Sequence, residues 1–85
     1  MAYRIEWKRS AQKELRQLPQ AIIKRVLNAV ATLADDPYPS GVRKLAGSEY
    51  TYRLRVGNYR VIYSVDDGIL VIEIIRVRHR KDVYR

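Results

Sequence analysis

The chain has 85 residues, 17 basic and 9 acidic, for a net charge of +8. That length makes one domain, residues 1–85, and a domain this small buries only about 60–65% of the surface its unfolded chain exposes. With no Cys and a single His, a disulfide framework, a thiolate nucleophile and a Cys- or His-rich metal cluster are excluded, and no cofactor is expected. The charge points to a polyanionic or acidic partner. No apolar run approaches the roughly 20 residues that span a bilayer. The first residues, Met1 to Glu6, lack the apolar stretch of a signal peptide. The expectation is a cytoplasmic protein with no membrane partner.

Tyr3, Ile5 and Trp7 alternate with Arg4 and Glu6, the pattern of a half-buried strand. Ser10 suits a helix N-cap, and residues 11–18 read as a short helix with Leu15 and Leu18 inward. Pro19 suits the first turn of a second helix. Its inward stripe is Ile22, Ile23, Val26, Leu27, Val30 and Leu33. It stops near Asp35-Asp36-Pro37, and Tyr38 to Gly41 form a loop. Residues 42–50 read as irregular, with Gly47 at a turn.

From Tyr50 the period changes to two. Tyr52, Leu54 and Val56 alternate with Arg53 and Arg55, and Gly57-Asn58 is a two-residue hairpin signal. Tyr59, Val61, Tyr63 and Val65 follow on one face. Asp66-Asp67-Gly68 makes a second turn, and Ile69 to Val77 is a nearly continuous apolar strand. The expected fold is α+β, in the order β-α-α-β-β-β. A helical hairpin packs on an antiparallel sheet that ends in a three-stranded meander.

A two-residue loop at Gly57-Asn58 pairs Val56 with Tyr59, Arg55 with Arg60, Leu54 with Val61 and Arg53 with Ile62. The tyrosines then share the core face, and Arg53, Arg55 and Arg60 share the other. Like charges placed opposite one another destabilise a sheet, so an Arg55–Arg60 pair points to an anionic ligand. Arg76, Arg78, Arg80 and Lys81 border the same region, with His79 and Tyr84 among them. Guanidinium forks suit phosphate oxygens, and a tyrosine ring suits an unstacked base. A histidine beside a phosphate suits proton transfer. The combination points to single-stranded RNA.

Several segments together resemble the RelE/ParE superfamily of bacterial toxins. They are Lys44-Leu45-Ala46-Gly47, Tyr52-Arg53-Leu54-Arg55, Gly57-Asn58-Tyr59-Arg60-Val61-Ile62-Tyr63 and Arg76-Val77-Arg78-His79-Arg80-Lys81-Asp82-Val83-Tyr84. The resemblance covers essentially the whole chain, Leu18-Pro19 between the helices included. It implies the fold above and a toxin that cleaves mRNA in the ribosomal A site without a metal. The ribose 2′-hydroxyl attacks the adjacent phosphorus and a 5′-hydroxyl leaves. Its implied partners are mRNA, the ribosome and a cognate acidic antitoxin, with DNA reached only through the antitoxin complex.

By the same resemblance, Arg60 and Arg80 bind the scissile phosphate, and Tyr84 stacks on a base or assists the 2′-hydroxyl. Arg53 and Arg55 stand where the best-known pattern has lysines. Because Arg does not give up its proton, His79 becomes the candidate for acid/base work beside Tyr84. Lys44, Arg53, Arg55, Arg76, Arg78 and Lys81 complete the expected RNA-binding set. Two other readings share the fold: a ParE-like inhibitor of DNA gyrase, and a non-catalytic basic half of an autoregulatory repressor complex.

Overall fold

The computed structural model describes residues 2–81. The elements run β1 (Arg4–Trp7), α1 (Arg9–Arg16), α2 (Gln20–Leu33), β2 (Arg43–Lys44), β3 (Thr51–Val56), β4 (Tyr59–Asp66) and β5 (Val71–His79). They form one five-stranded sheet in the order β1-β5-β4-β3-β2. Beneath it lie the helices, α1 against β5 and α2 against β3. No helix among the described residues is long and apolar enough to cross a membrane.

The α+β class and the C-terminal meander are as expected. The sheet is mixed rather than wholly antiparallel, because β1 runs parallel to β5 from Arg4↔Val71 to Trp7↔Ile74. Local turn chemistry sets direction only between strands joined by hairpins, and two helices separate β1 from the rest. The first half of β5, Val71 to Ile75, is apolar except at Glu73, which suits a strand with neighbours on both edges; β1 and β4 are those neighbours.

The other departures are local. Ser10 lies inside α1, and Lys8 takes the N-cap without a side-chain hydrogen bond. Pro19 caps α2, so the helix begins one residue later. Leu27 is exposed, although it belongs to the apolar stripe. β5 begins at Val71, because the turn extends through Leu70 at φ 55. There Asp66 Oδ1 accepts the N–H groups of Gly68 and Ile69. The segment read as irregular contributes β2 at the sheet edge.

The core is the helix-facing side of the sheet against α1 and α2. Val61, Tyr63, Ile72, Ile74 and Val77 meet Ala11, Val26, Val30 and Leu33 there. Tyr63 is fully buried, stacks on Tyr52, and donates its hydroxyl to the Pro37 carbonyl at 2.7 Å. Burial is the largest of the causes that push its phenol pKa well above the usual tyrosine value. Tyr3 and Tyr38 both donate to the Asp67 carboxylate, holding it below the usual aspartate range.

β1 ends opposite Ile74, and its last contact with β5 is Lys8 N–H to the Ile74 carbonyl at 2.9 Å. Beyond that point the edge of β5 is served by Glu14 of α1. Glu14 Oε1 accepts the Val77 backbone N–H at 2.9 Å, and Oε2 accepts Arg78 Nε at 2.6 Å. An unmet backbone donor on a half-buried edge is costly. Glu14→Ala is therefore expected to destabilise the fold by about 1–3 kcal/mol in urea unfolding. Glu14→Gln, which keeps an oxygen for Val77, should cost less. Equal stability of Glu14→Ala and wild type would show that the edge needs no cap.

Candidate nucleic-acid interface

The β3–β4 register is the expected one: Val56↔Tyr59, Arg55↔Arg60, Leu54↔Val61 and Arg53↔Ile62. A Gly57 φ of 60 supplies the left-handed backbone that the tight turn needs. Alternation sends Arg53, Arg55 and Arg60 to the outer face, away from the helices. There Arg43 pairs with Arg53 across β2 and β3, and Arg76 pairs with Ile62 across β4 and β5. A bulge between Ile62 and Tyr63 absorbs one extra β5 residue and keeps both Arg76 outward and Ile74 inward. Ile62 is only 6% exposed although it lies on the outer face. Its cross-strand neighbours are Arg53 and Arg76, whose aliphatic stems suit such a cover.

A groove of about 480 Å³ opens on this face. Arg43, Arg53, Arg55 and Arg60 line it, with Ser40, Gly41 and Leu54 completing the wall. Among the described residues, no acidic side chain lines it. Arg55 Nε donates to the Gly57 carbonyl at 3.2 Å, and Arg60 donates to the Tyr59 carbonyl at 3.4 Å. Both guanidinium groups are thus steered toward the hairpin end. The Arg80 backbone N–H donates to the Asn58 carbonyl at 2.8 Å, so the β4–β5 ladder carries Arg80 to the same end. Partial burial, followed by the charges of Arg55, Arg53 and Arg80, pulls the Arg60 pKa below its usual value. Four arginines therefore converge where a bound anion would relieve both desolvation and repulsion.

The other candidates are placed differently. Arg78 is opposite Arg60 in register but is engaged by Glu14, so its charge is partly neutralised. Lys44 pairs with Tyr52 and falls on the helix side of the sheet edge. Lys81 is exposed just past β5. His79 pairs with Tyr59, meets its ring edge-on at 5.3 Å, and therefore lies on the helix side, across the sheet from Arg60. Its Nδ1 accepts the Lys81 N–H at 3.2 Å, which leaves Nε2 protonated in the neutral ring. Tyr84 lies outside the described residues.

Two arginines fall outside the expected RNA-binding set. Arg43 sits on a two-residue strand too short to show a period. Arg25, on α2, brings its guanidinium against the hairpin turn, where a Cβ added to Gly57 would lie 3.1 Å from Nη1. Its only signal was membership of a basic helix face. Among the described residues, no three His, Asp or Glu side chains gather as metal ligands would.

The family described as "ParE toxin of type II toxin-antitoxin system, parDE" matches residues 5–84. The chain belongs to the RelE/ParE superfamily of toxins. Within it, the chain is 36% identical to "Toxin RelG" of Mycobacterium tuberculosis, over 100% of this chain and 99% of that protein. It is 31% identical to "Putative toxin RelE1" of Methanocaldococcus jannaschii, over 100% and 98%. The toxin fold superposes on the RelE–RelB complex structure from Pyrococcus horikoshii with a TM-score of 0.85 at 36% identity, covering 98% of this chain and 100% of that one. The isolated Escherichia coli RelE toxin gives 0.82 at 26% identity, covering 98% and 92%. The RelE-type character of this toxin thus spans its whole length, and the arginine groove lies on a fold shared with RelE.

Proposed function

We propose that this RelE-type toxin is a metal-independent endoribonuclease that cleaves mRNA, with the ribosomal A site as the setting. The observation that carries the reading is the convergence of Arg53, Arg55 and Arg80 on Arg60, in a groove that no acid lines among the described residues. Attack of a 2′-hydroxyl on phosphorus builds negative charge on the phosphoryl oxygens. Fixed cations aimed at that charge are a large source of rate enhancement. Arg60 holds the phosphate, Arg55 and Arg80 flank it, and Arg53 extends the field along the groove. Tyr84 follows Arg80 by four residues, and its stacking or proton-transfer role remains the one implied by the family.

His79 acts from behind the sheet in this reading. By holding the Lys81 N–H, it sets the direction in which the chain leaves Arg80. His79→Ala is expected to slow cleavage less than about tenfold and to leave the pH–rate profile unchanged in shape. Loss of a limb of that profile, with a rate drop of the size general acid–base catalysis supplies, about 10²–10⁴-fold, would make His79 the proton carrier instead.

An acidic antitoxin is the expected partner. RelE of Pyrococcus horikoshii is crystallised with RelB, and a carboxylate-bearing segment would neutralise the groove. The ParE description of the matching family favours gyrase inhibition as the second reading. One experiment separates the two. Purified toxin is added to ribosomes translating a labelled mRNA and, in parallel, to a gyrase supercoiling assay. Cleavage fragments with unchanged supercoiling are expected. Blocked supercoiling with intact mRNA would select the ParE-like reading. No effect in either, with harmless expression in cells lacking an antitoxin, would leave only a repressor subunit.

A further inference from the structure

The outer face carries two like-charge pairs rather than one. Arg55 faces Arg60 across β3 and β4, and Arg43 faces Arg53 across β2 and β3. Each pairing of like charges weakens the sheet locally, and a single small anion can neutralise only the pair it touches. The two pairs share β3, where residues 53 and 55 project on the same side about 6.8 Å apart. Successive phosphates along an extended nucleic-acid strand are separated by a comparable distance. All four arginines line one groove, and Arg43, exposed on β2, is held there by its backbone pairing with Arg53.

We infer that the groove holds two consecutive phosphates of one RNA strand, the first between Arg55 and Arg60 and the neighbouring one between Arg43 and Arg53. This rests on the ribonuclease reading and adds a positioning subsite to it. Arg60 meets the phosphate that reacts. Arg43 holds the next one and so fixes the register of the strand in the groove. The flanking Ser40 and Gly41 present a small hydroxyl and bare backbone beside Arg43, leaving room for a sugar–phosphate chain.

The test uses the full-length toxin and dye-labelled 2′-deoxy oligonucleotides, which cannot be cleaved. A dinucleotide carries one phosphodiester and a trinucleotide carries two. Fluorescence anisotropy should show the trinucleotide binding wild type about tenfold tighter, the gain expected of one charge-assisted contact. Arg43→Ala should abolish that gain and leave dinucleotide affinity within about twofold. The slope of log affinity against log salt for the trinucleotide should fall by about 0.7, one single-strand phosphate's worth. Arg43→Lys should restore most of both. Because Arg43 is exposed at the edge of the sheet, a thermal melt should show the variant folded like wild type.

If Arg43→Ala weakens both ligands equally, its charge acts only as a diffuse field and the subsite is overturned. If it weakens neither, the subsite is also overturned, while the ribonuclease reading stands on the wild-type binding. If neither oligonucleotide binds but a peptide of spaced glutamates does, the groove is a protein-docking face and both readings fall.

Discussion

Arg60→Ala is expected to lower single-turnover mRNA cleavage on programmed ribosomes by about 10²–10³-fold, the loss seen when a preorganised charge-stabilising donor is removed from an active site. Arg60 is the residue on which Arg55, Arg53 and Arg80 all act, so its removal takes away the centre of the field. Arg60→Lys should recover only part of the rate, because a point charge replaces a fork that grips two oxygens. Stability should move the other way. Removing Arg60 relieves a direct cross-strand repulsion with Arg55, and the folded state should gain a few tenths of a kcal/mol. Urea unfolding of the same preparation checks that sign. Near-wild-type cleavage by Arg60→Ala would remove the groove from the chemistry altogether.

Tyr63→Ala should have the largest effect on folding. Tyr63 is fully buried where β4 meets the helices, and its ring stacks on Tyr52 at a centroid distance of 5.8 Å. Truncating a buried aromatic costs about 3–5 kcal/mol, a large share of the roughly 5–15 kcal/mol that holds a typical domain together. The variant should be mostly unfolded or have a much reduced urea midpoint. Tyr63→Phe isolates the hydroxyl. It leaves the Pro37 carbonyl without its donor and should cost about 1–3 kcal/mol. A Tyr63→Phe protein as stable as wild type would mean that another donor replaces the hydroxyl there.

Tyr63 and Arg60 are three residues apart on one strand, yet one holds the core and the other faces the groove. Alternation along a strand is local, so the division was legible before any fold was known. The hairpin register was legible for the same reason. Gly57-Asn58 permits one tight turn, and a slip of one residue would expose Val61 and Tyr63 and bury arginines. The Arg55–Arg60 pairing that motivates the functional reading therefore followed from residues 52–63 alone, as did the change of period marking helices from strands.

What lay beyond sequence reach was every relation between segments far apart in the chain. Nothing near Arg4 to Trp7 states that β1 runs parallel to β5, because two helices and three strands intervene. Glu14 reads as one more helix-surface acid until packing brings it to Val77 and Arg78. His79 stands beside Arg78 and Arg80 in sequence, but strand alternation and the Tyr59 pairing put it behind the sheet, away from Arg60. Arg43 belongs to a strand of two residues, and only its pairing with Arg53 reveals that it faces the groove. Local period and turn chemistry act over a few residues and were sufficient for the first set. The second set depends on which distant surfaces pack together, and that is decided by burial over the whole chain.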